Sequence, residues 1–115
     1  MPIQIKKFDP ASAEKGHEGT ILSSDVLPAG MTAPFQHAYG YLENNQTMAG
    51  HRHDTDEIYI VFSGTGSVIL GGENKAVGQG DVIAIPANVW HTMTCSDKDQ
   101  SPFLWAALWW DHIEK

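Results

Sequence analysis

An all-β sandwich or closed barrel is the fold class this sequence predicts. Gly and Pro, 11 and 6 of the 115 residues, recur at short intervals. The stretches between them are too short for helices and rich in β-branched and aromatic residues. Several interruptions are Gly-rich turns of the kind that reaches positive φ and reverses a strand.

In chain order, the alternating Ile3 to Phe8 reads as a first strand. Pro10 to Gly19 reads as a loop or short helical turn, since Ala11, Ala13, Glu14 and Lys15 favour helix and Gly16 ends it. Strands are then expected over Thr20 to Leu27, Gln36 to Leu42, His51 to His53, Ile58 to Phe62, Gly66 to Leu70, Lys75 to Val77, Val82 to Ile85, His91 to Cys95 and Phe103 to Trp110. Ser63-Gly64-Thr65-Gly66, Gly71-Gly72-Glu73-Asn74 and Gly78-Gln79-Gly80-Asp81 look like hairpin turns. No repeat, low-complexity tract or linker divides the chain, so one domain over residues 1–115 is expected.

Asp and Glu number 14 against 7 Lys and Arg, a formal charge of -7. That excess repels phosphate backbones and anionic lipid, so no nucleic acid and no membrane is expected as a partner. The N-terminal stretch has no apolar run long enough for a signal sequence, and Phe103 to Trp110 falls short of a membrane span. Cys95 is the sole cysteine, which agrees with a reducing compartment. A soluble, cytoplasmic protein is expected.

The chemistry concentrates in Gly50-His51-Arg52-His53-Asp54-Thr55-Asp56-Glu57. Residues two apart in a strand share a face, so His51 and His53 project together, and a bend over Asp54 to Asp56 can return Glu57 to that face. Further on, Pro86-Ala87-Asn88-Val89-Trp90-His91 is a Pro-bounded turn with a histidine opening an apolar strand, and His91 can complete a metal-binding set. Such residues can also form a metal-free polar core. Asp54 and Asp56 read most simply as solvated loop charges, and His17 and His112 as solvent-exposed.

These residues resemble the cupin superfamily. Its first motif is matched by His51-x-His53, Glu57 and Gly64, and its second by Gly80, Pro86 and His91, with the short segment Thr65 to Gln79 between them. Asn45 and Asn88 stand where the motifs carry glycine, and Asn is the next most tolerant residue of left-handed backbone. Cys95 replaces the Asn that closes the second motif; it shares the parity of His91 and Met93 and so is expected to face the barrel interior. The resemblance implies a single cupin-type double-stranded β-helix, a jelly-roll barrel, with His51, His53, Glu57 and His91 as ligands of one divalent metal ion per chain.

Three His and one Glu would leave a divalent ion at about +1, a field that attracts a small anionic substrate. An octahedral ion would keep positions for a bidentate acid, or for an acid and O2 together, which favours Fe, Mn, Ni or Co; Zn, tetrahedral by preference, would be nearly saturated. The resemblance implies a metal-dependent enzyme on a small organic acid or sugar derivative, with a dioxygenase as the first expectation. A decarboxylase, lyase or isomerase, or a non-catalytic ligand-binding or sensor barrel, are the alternatives. Candidate pocket residues are His37, Tyr39, Tyr59, Met93 and Cys95; alternation could turn His37, Tyr39 and Tyr41 inward, and Tyr59 shares the parity of Glu57. Ile58, Ile60 and Phe62 have the opposite parity, and Phe103 to Trp110 is apolar on both faces, so a homodimer is expected to cover the outer face.

Overall fold

The computed structural model describes residues 2–96 and 101–114, and these form strands with no helix. The strands are β1 (Glu14–Gly16), β2 (Ile21–Ser24), β3 (Gln36–Leu42), β4 (Thr55–Ser63), β5 (Thr65–Leu70), β6 (Glu73–Gly78), β7 (Val82–Ile85), β8 (His91–Cys95) and β9 (Phe103–Asp111). Six make one sheet in the order β1-β2-β3-β9-β4-β7, and three make the facing sheet β6-β5-β8. Every strand pairing is antiparallel. No helix in the described residues is long and apolar enough to cross a membrane.

Alternation decides what fills the barrel. On β4, Glu57, Tyr59 and Val61 are buried, while Ile58 and Ile60 are half-buried and Phe62 is exposed. The register carries this face across the sheet, pairing Glu57 with Trp109, Tyr59 with Ala107 and Val61 with Trp105. β9 in turn sets Trp105 opposite Gly40 and Phe103 opposite Leu42. A Cβ on Gly40 would stand 2.2 Å from the Trp105 ring, so only glycine leaves the indole its place in the core. Leu42, Met48, Ile85, Met93, Phe103 and Trp105 complete an apolar interior from both sheets.

Several expectations need correcting. Ile3 to Phe8 is not a strand: it joins no sheet among the described residues, Ile3 and Ile5 are each 87% exposed, and Phe8 docks against Tyr39 and Tyr41. Pro10 to Gly19 contains no helix; its second half is β1 and the turn of a β1–β2 hairpin. His51 to His53 is not a strand either, since only His51 makes a bridge, to His91. The segment before it runs along β8 instead, with Met48 N–H donating to Met93 and Cys95 N–H to Gln46. Of the three expected hairpin turns, only Gly71-Gly72 closes one, with φ of 57° and 87° at its centre. The turns at Gly64 and Gly80 are corners, passing β4 to β5 and β6 to β7 from one sheet to the other.

Candidate metal centre

The first motif reaches the barrel interior from an edge. His51 N–H and C=O exchange hydrogen bonds with His91 at 3.1 and 2.9 Å, which places the two imidazoles side by side with ring centroids 4.3 Å apart. After His53 the chain bends at Asp54 and enters β4, whose third residue, Glu57, points inward. The second motif's turn clamps this bend. Asn88, at φ 68°, turns its N–H onto the His53 carbonyl at 2.6 Å, and Ala87 N–H donates to Asp56 at 2.9 Å. Asp56 is therefore an acceptor that ties the two motifs together, and its other oxygen pairs with exposed His112 at 2.8 Å. That contact raises the His112 pKa, through the hydrogen bond first and the carboxylate charge second.

His51, His53, Glu57 and His91 each offer a ligand atom, and these atoms lie within 4.8 Å of one another. The Nδ1 atoms face away from the cluster, toward carbonyl oxygens: Ala49 at 3.3 Å for His51, Thr55 at 3.0 Å for His53 and Val89 at 2.8 Å for His91. A carbonyl only accepts, so each Nδ1 is the donor there, and in the neutral ring that leaves Nε2 with a bare lone pair turned inward. There the lone pairs meet a carboxylate oxygen, Glu57 Oε1, 2.9 Å from His53 Nε2 and 3.4 Å from His91 Nε2. Acceptors facing acceptors repel unless a cation lies between them. His91 Nε2 shows this most plainly, being fully buried without a hydrogen-bond partner among the described residues. Donor set and orientation both fit a divalent metal ion.

Above the cluster lies a cavity of about 340 Å³, walled by Ile21, Tyr59, Trp105 and Trp109. Burial there depresses the His51 pKa to about 4, with the charges of His17 and His91 acting in the same direction. Burial, and then the Glu57 carboxylate, push the Tyr59 phenol well above its ordinary range. Of the expected pocket residues, Tyr59 lines the cavity. His37 does not: it shares the outer face with Leu108 and Ile58, and its Nδ1 accepts from Val26 and Leu27 N–H at 3.0 and 3.4 Å. Tyr39 borders the cavity, but its ring packs outside with Phe8 and Phe62. Met93 and Cys95 do point inward and are fully buried, but they descend along β8 away from His91. Cys95 sits four positions on, about 13 Å away at strand spacing, with its thiol toward the Ser96 and Ser101 carbonyls.

One histidine of the pocket was not expected. His17, at the tip of the β1–β2 hairpin, is exposed to solvent on one side and lies over His51 on the other, ring centroids 4.2 Å apart. Desolvation lowers its pKa against the opposing pull of Glu57. The available signal was faint, a turn-like His17-Glu18-Gly19 just ahead of the strand expected over Thr20 to Leu27.

Residues 39–108 match the family described as the cupin domain. The chain belongs to the cupin domain family. A protein from Photorhabdus luminescens, plu4264, has a similar structure at 29% identity and a TM-score of 0.79, over 96% of this cupin and 89% of that chain. A cupin 2 conserved barrel domain protein from Salinispora arenicola superposes with a TM-score of 0.81 at 22% identity, covering 96% and 91% of the two chains. Among curated proteins, the 5-aminosalicylate 1,2-dioxygenase of Comamonas sp. is 28% identical over 104 residues. That match covers 84% of this cupin but 28% of the dioxygenase, so the chain spans under a third of that relative. The cupin motif glycines replaced by Asn45 and Asn88 are explained by φ values of 60° and 68°, which asparagine adopts more readily than other side chains do.

Proposed function

We propose that this cupin holds one divalent metal ion on His51, His53, Glu57 and His91 and works as a dioxygenase on a small organic acid. The observation that carries the reading is the set of inward lone pairs and the carboxylate converging beneath a cavity of about 340 Å³. When bound, such an ion supplies a Lewis-acid centre with positions for a bidentate acid and O2. Iron, manganese, nickel and cobalt suit that geometry; zinc fits the donors but leaves less room. The chain's own contribution is to hold the imidazoles rigid through the Ala49, Thr55 and Val89 carbonyls and to keep water from the reacting acid with Trp105 and Trp109. The likeness to a 5-aminosalicylate 1,2-dioxygenase supports oxygenation and makes aromatic hydroxy acids the first substrates to try. The cavity is of a size for one small molecule.

The test is the Fe(II) form prepared without oxygen. Salicylate-type acids should alter its spectrum, and O2 should then be consumed together with the acid. Spectra unchanged by bidentate acids in the Fe(II), Mn(II) and Ni(II) forms would overturn the reading. Binding without turnover would favour a sensor or carrier, and loss of the acid without O2 uptake a lyase, isomerase or decarboxylase.

A homodimer is the second element of the proposal. The outer face of the six-stranded sheet presents Ile58, Ile60, Leu104 and Leu108 half-buried, with Phe62 and Val82 42% and 61% exposed. Phe8 covers this face only around Tyr39 and Tyr41. Exposed apolar area of this kind favours a second copy of the chain. Light scattering at micromolar concentration should give a dimer mass, and a monomer would contradict it.

A further inference from the structure

The β1–β2 hairpin is short, lies at the edge of its sheet, and carries no part of the His-Glu cluster. Its tip nevertheless leans over the pocket. His17 and Glu18 have φ of 47° and 60° ahead of Gly19 at 79°, left-handed backbone that costs a non-glycine residue on the order of 1 kcal/mol at each position. The turn itself does not call for histidine there, since glycine or asparagine would close it with less strain.

The hairpin is also tied to the cluster. Thr20 Oγ1 donates to the His17 carbonyl at 2.6 Å and accepts from Ala49 N–H at 2.8 Å. Ala49 in turn faces His51 Nδ1 with its carbonyl at 3.3 Å. Thr20 therefore sets the height of His17 relative to His51. The His17 ring lies against the His51 ring, outside the four ligand atoms that lie within 4.8 Å of one another. With Ile21, Ala107, Trp105 and Trp109 making apolar wall, His17 brings an imidazole donor to the open side of the cavity.

We propose that His17 is a substrate-contacting residue, whose imidazole donates a hydrogen bond to an anionic oxygen of a small organic acid bound at the metal. The inference rests on the reading of the cluster as a metal site open to acids. It assigns to the N-terminal hairpin the selection of a carboxylate or enolate oxygen, and to Thr20 the positioning of the imidazole that makes the contact. Metal binding itself does not involve His17.

The experiment uses the Co(II)-loaded protein and oxalate, followed by calorimetry and by the cobalt visible spectrum, in wild type, His17→Asn, His17→Gln and Thr20→Val. Asn suits left-handed backbone, so the turn is kept when the imidazole is removed, and thermal melts check that each variant folds. Both His17 variants should retain wild-type cobalt stoichiometry and affinity, and Thr20→Val, which removes the acceptor of Ala49 N–H beside His51, should retain the stoichiometry. Oxalate affinity should fall about tenfold in His17→Asn, the scale of one hydrogen bond to a charged group. It should fall less in His17→Gln, whose amide still donates, and in Thr20→Val, which keeps the imidazole. Wild-type oxalate affinity in His17→Asn would overturn the inference and leave the metal reading standing. Loss of cobalt from His17→Asn would overturn it by making His17 a ligand. Failure of cobalt-loaded wild type to bind oxalate or any bidentate acid would instead remove the open metal site, and the inference with it.

Discussion

The pocket floor and its rim are built differently. The floor comes from residues 51–91, where the ligand atoms lie within 4.8 Å, the Nδ1 atoms meet carbonyls, and the Asn88 and Ala87 amides clamp the bend that carries His53. The rim comes from a hairpin at a sheet edge, tied to the floor through Thr20. A centre that must hold several lone pairs against their mutual repulsion needs constraint from both sheets. A rim that only meets a ligand needs one anchor and can vary without disturbing the floor. The two should therefore be separable by mutation.

The largest effect is expected at the floor. His91→Ala removes a fully buried ligand and should lower cobalt affinity at least about a hundredfold, a loss no neighbour in a packed barrel can make good. Titration against a competing chelator measures it, and near wild-type affinity would break the comparison at its root. Glu57→Gln should follow, keeping the shape but losing the charge that balances the cation. Thr55→Val should cost less, roughly tenfold or under, because it removes the hydroxyl at 2.9 Å from His53 Nδ1 but leaves the Thr55 carbonyl in place. Equal losses from Thr55→Val and His91→Ala would mean that the support is part of the ligand set.

A smaller effect concerns pH in the metal-free protein. Burial holds the folded His51 imidazole at about 4 against an ordinary value of 6.5. Between those values the unfolded chain binds more protons than the folded one, so stability falls as pH drops through that window and this contribution changes no further below it. Melting temperatures should be lower just above pH 4 than near neutrality, and His51→Asn should flatten part of that slope. A slope of the opposite sign, or one untouched by His51→Asn, would contradict the burial of the floor. The exposed His112–Asp56 pair works the other way. His112 is raised, so its contribution is complete below the ordinary histidine value and fades as pH rises through the folded one; being fully exposed, it should be the smallest effect seen.

The difference between floor and rim also marks how far the sequence could be read. Gln36–Leu42, Val82–Ile85 and His91–Cys95 are strands with the expected ends, because strand alternation and turn residues are local signals. The cluster was legible through the spacing that resembles the cupin motifs, although His51 to His53 is not the strand whose alternation was expected to pair the two imidazoles. Parity gave the face but not the height, so Cys95 was rightly placed inside yet lies far down β8 from His91. On β3 the face itself was misread. The large residues His37, Tyr39 and Tyr41 look outward because Trp105 fills the interior and leaves room only for Ala38 and Gly40. Glu14-Lys15-Gly16 has no strand propensity of its own and becomes β1 by pairing with Ile21–Ser24, so the hairpin that carries His17 was invisible to local reasoning. Turn chemistry at Gly64 and Gly80 likewise did not reveal that the chain changes sheets there.

The central claim is that His51, His53, Glu57 and His91 hold a metal ion, and its most direct test is the metal content of protein purified without metal-affinity resin. Wild type and a variant carrying His51→Ala, His53→Ala and His91→Ala would be compared by elemental analysis, with circular dichroism showing that both keep their strands. About one divalent ion per chain is expected in wild type and essentially none in the triple variant. Equal metal content in the two folded proteins would place the ion elsewhere and contradict the account.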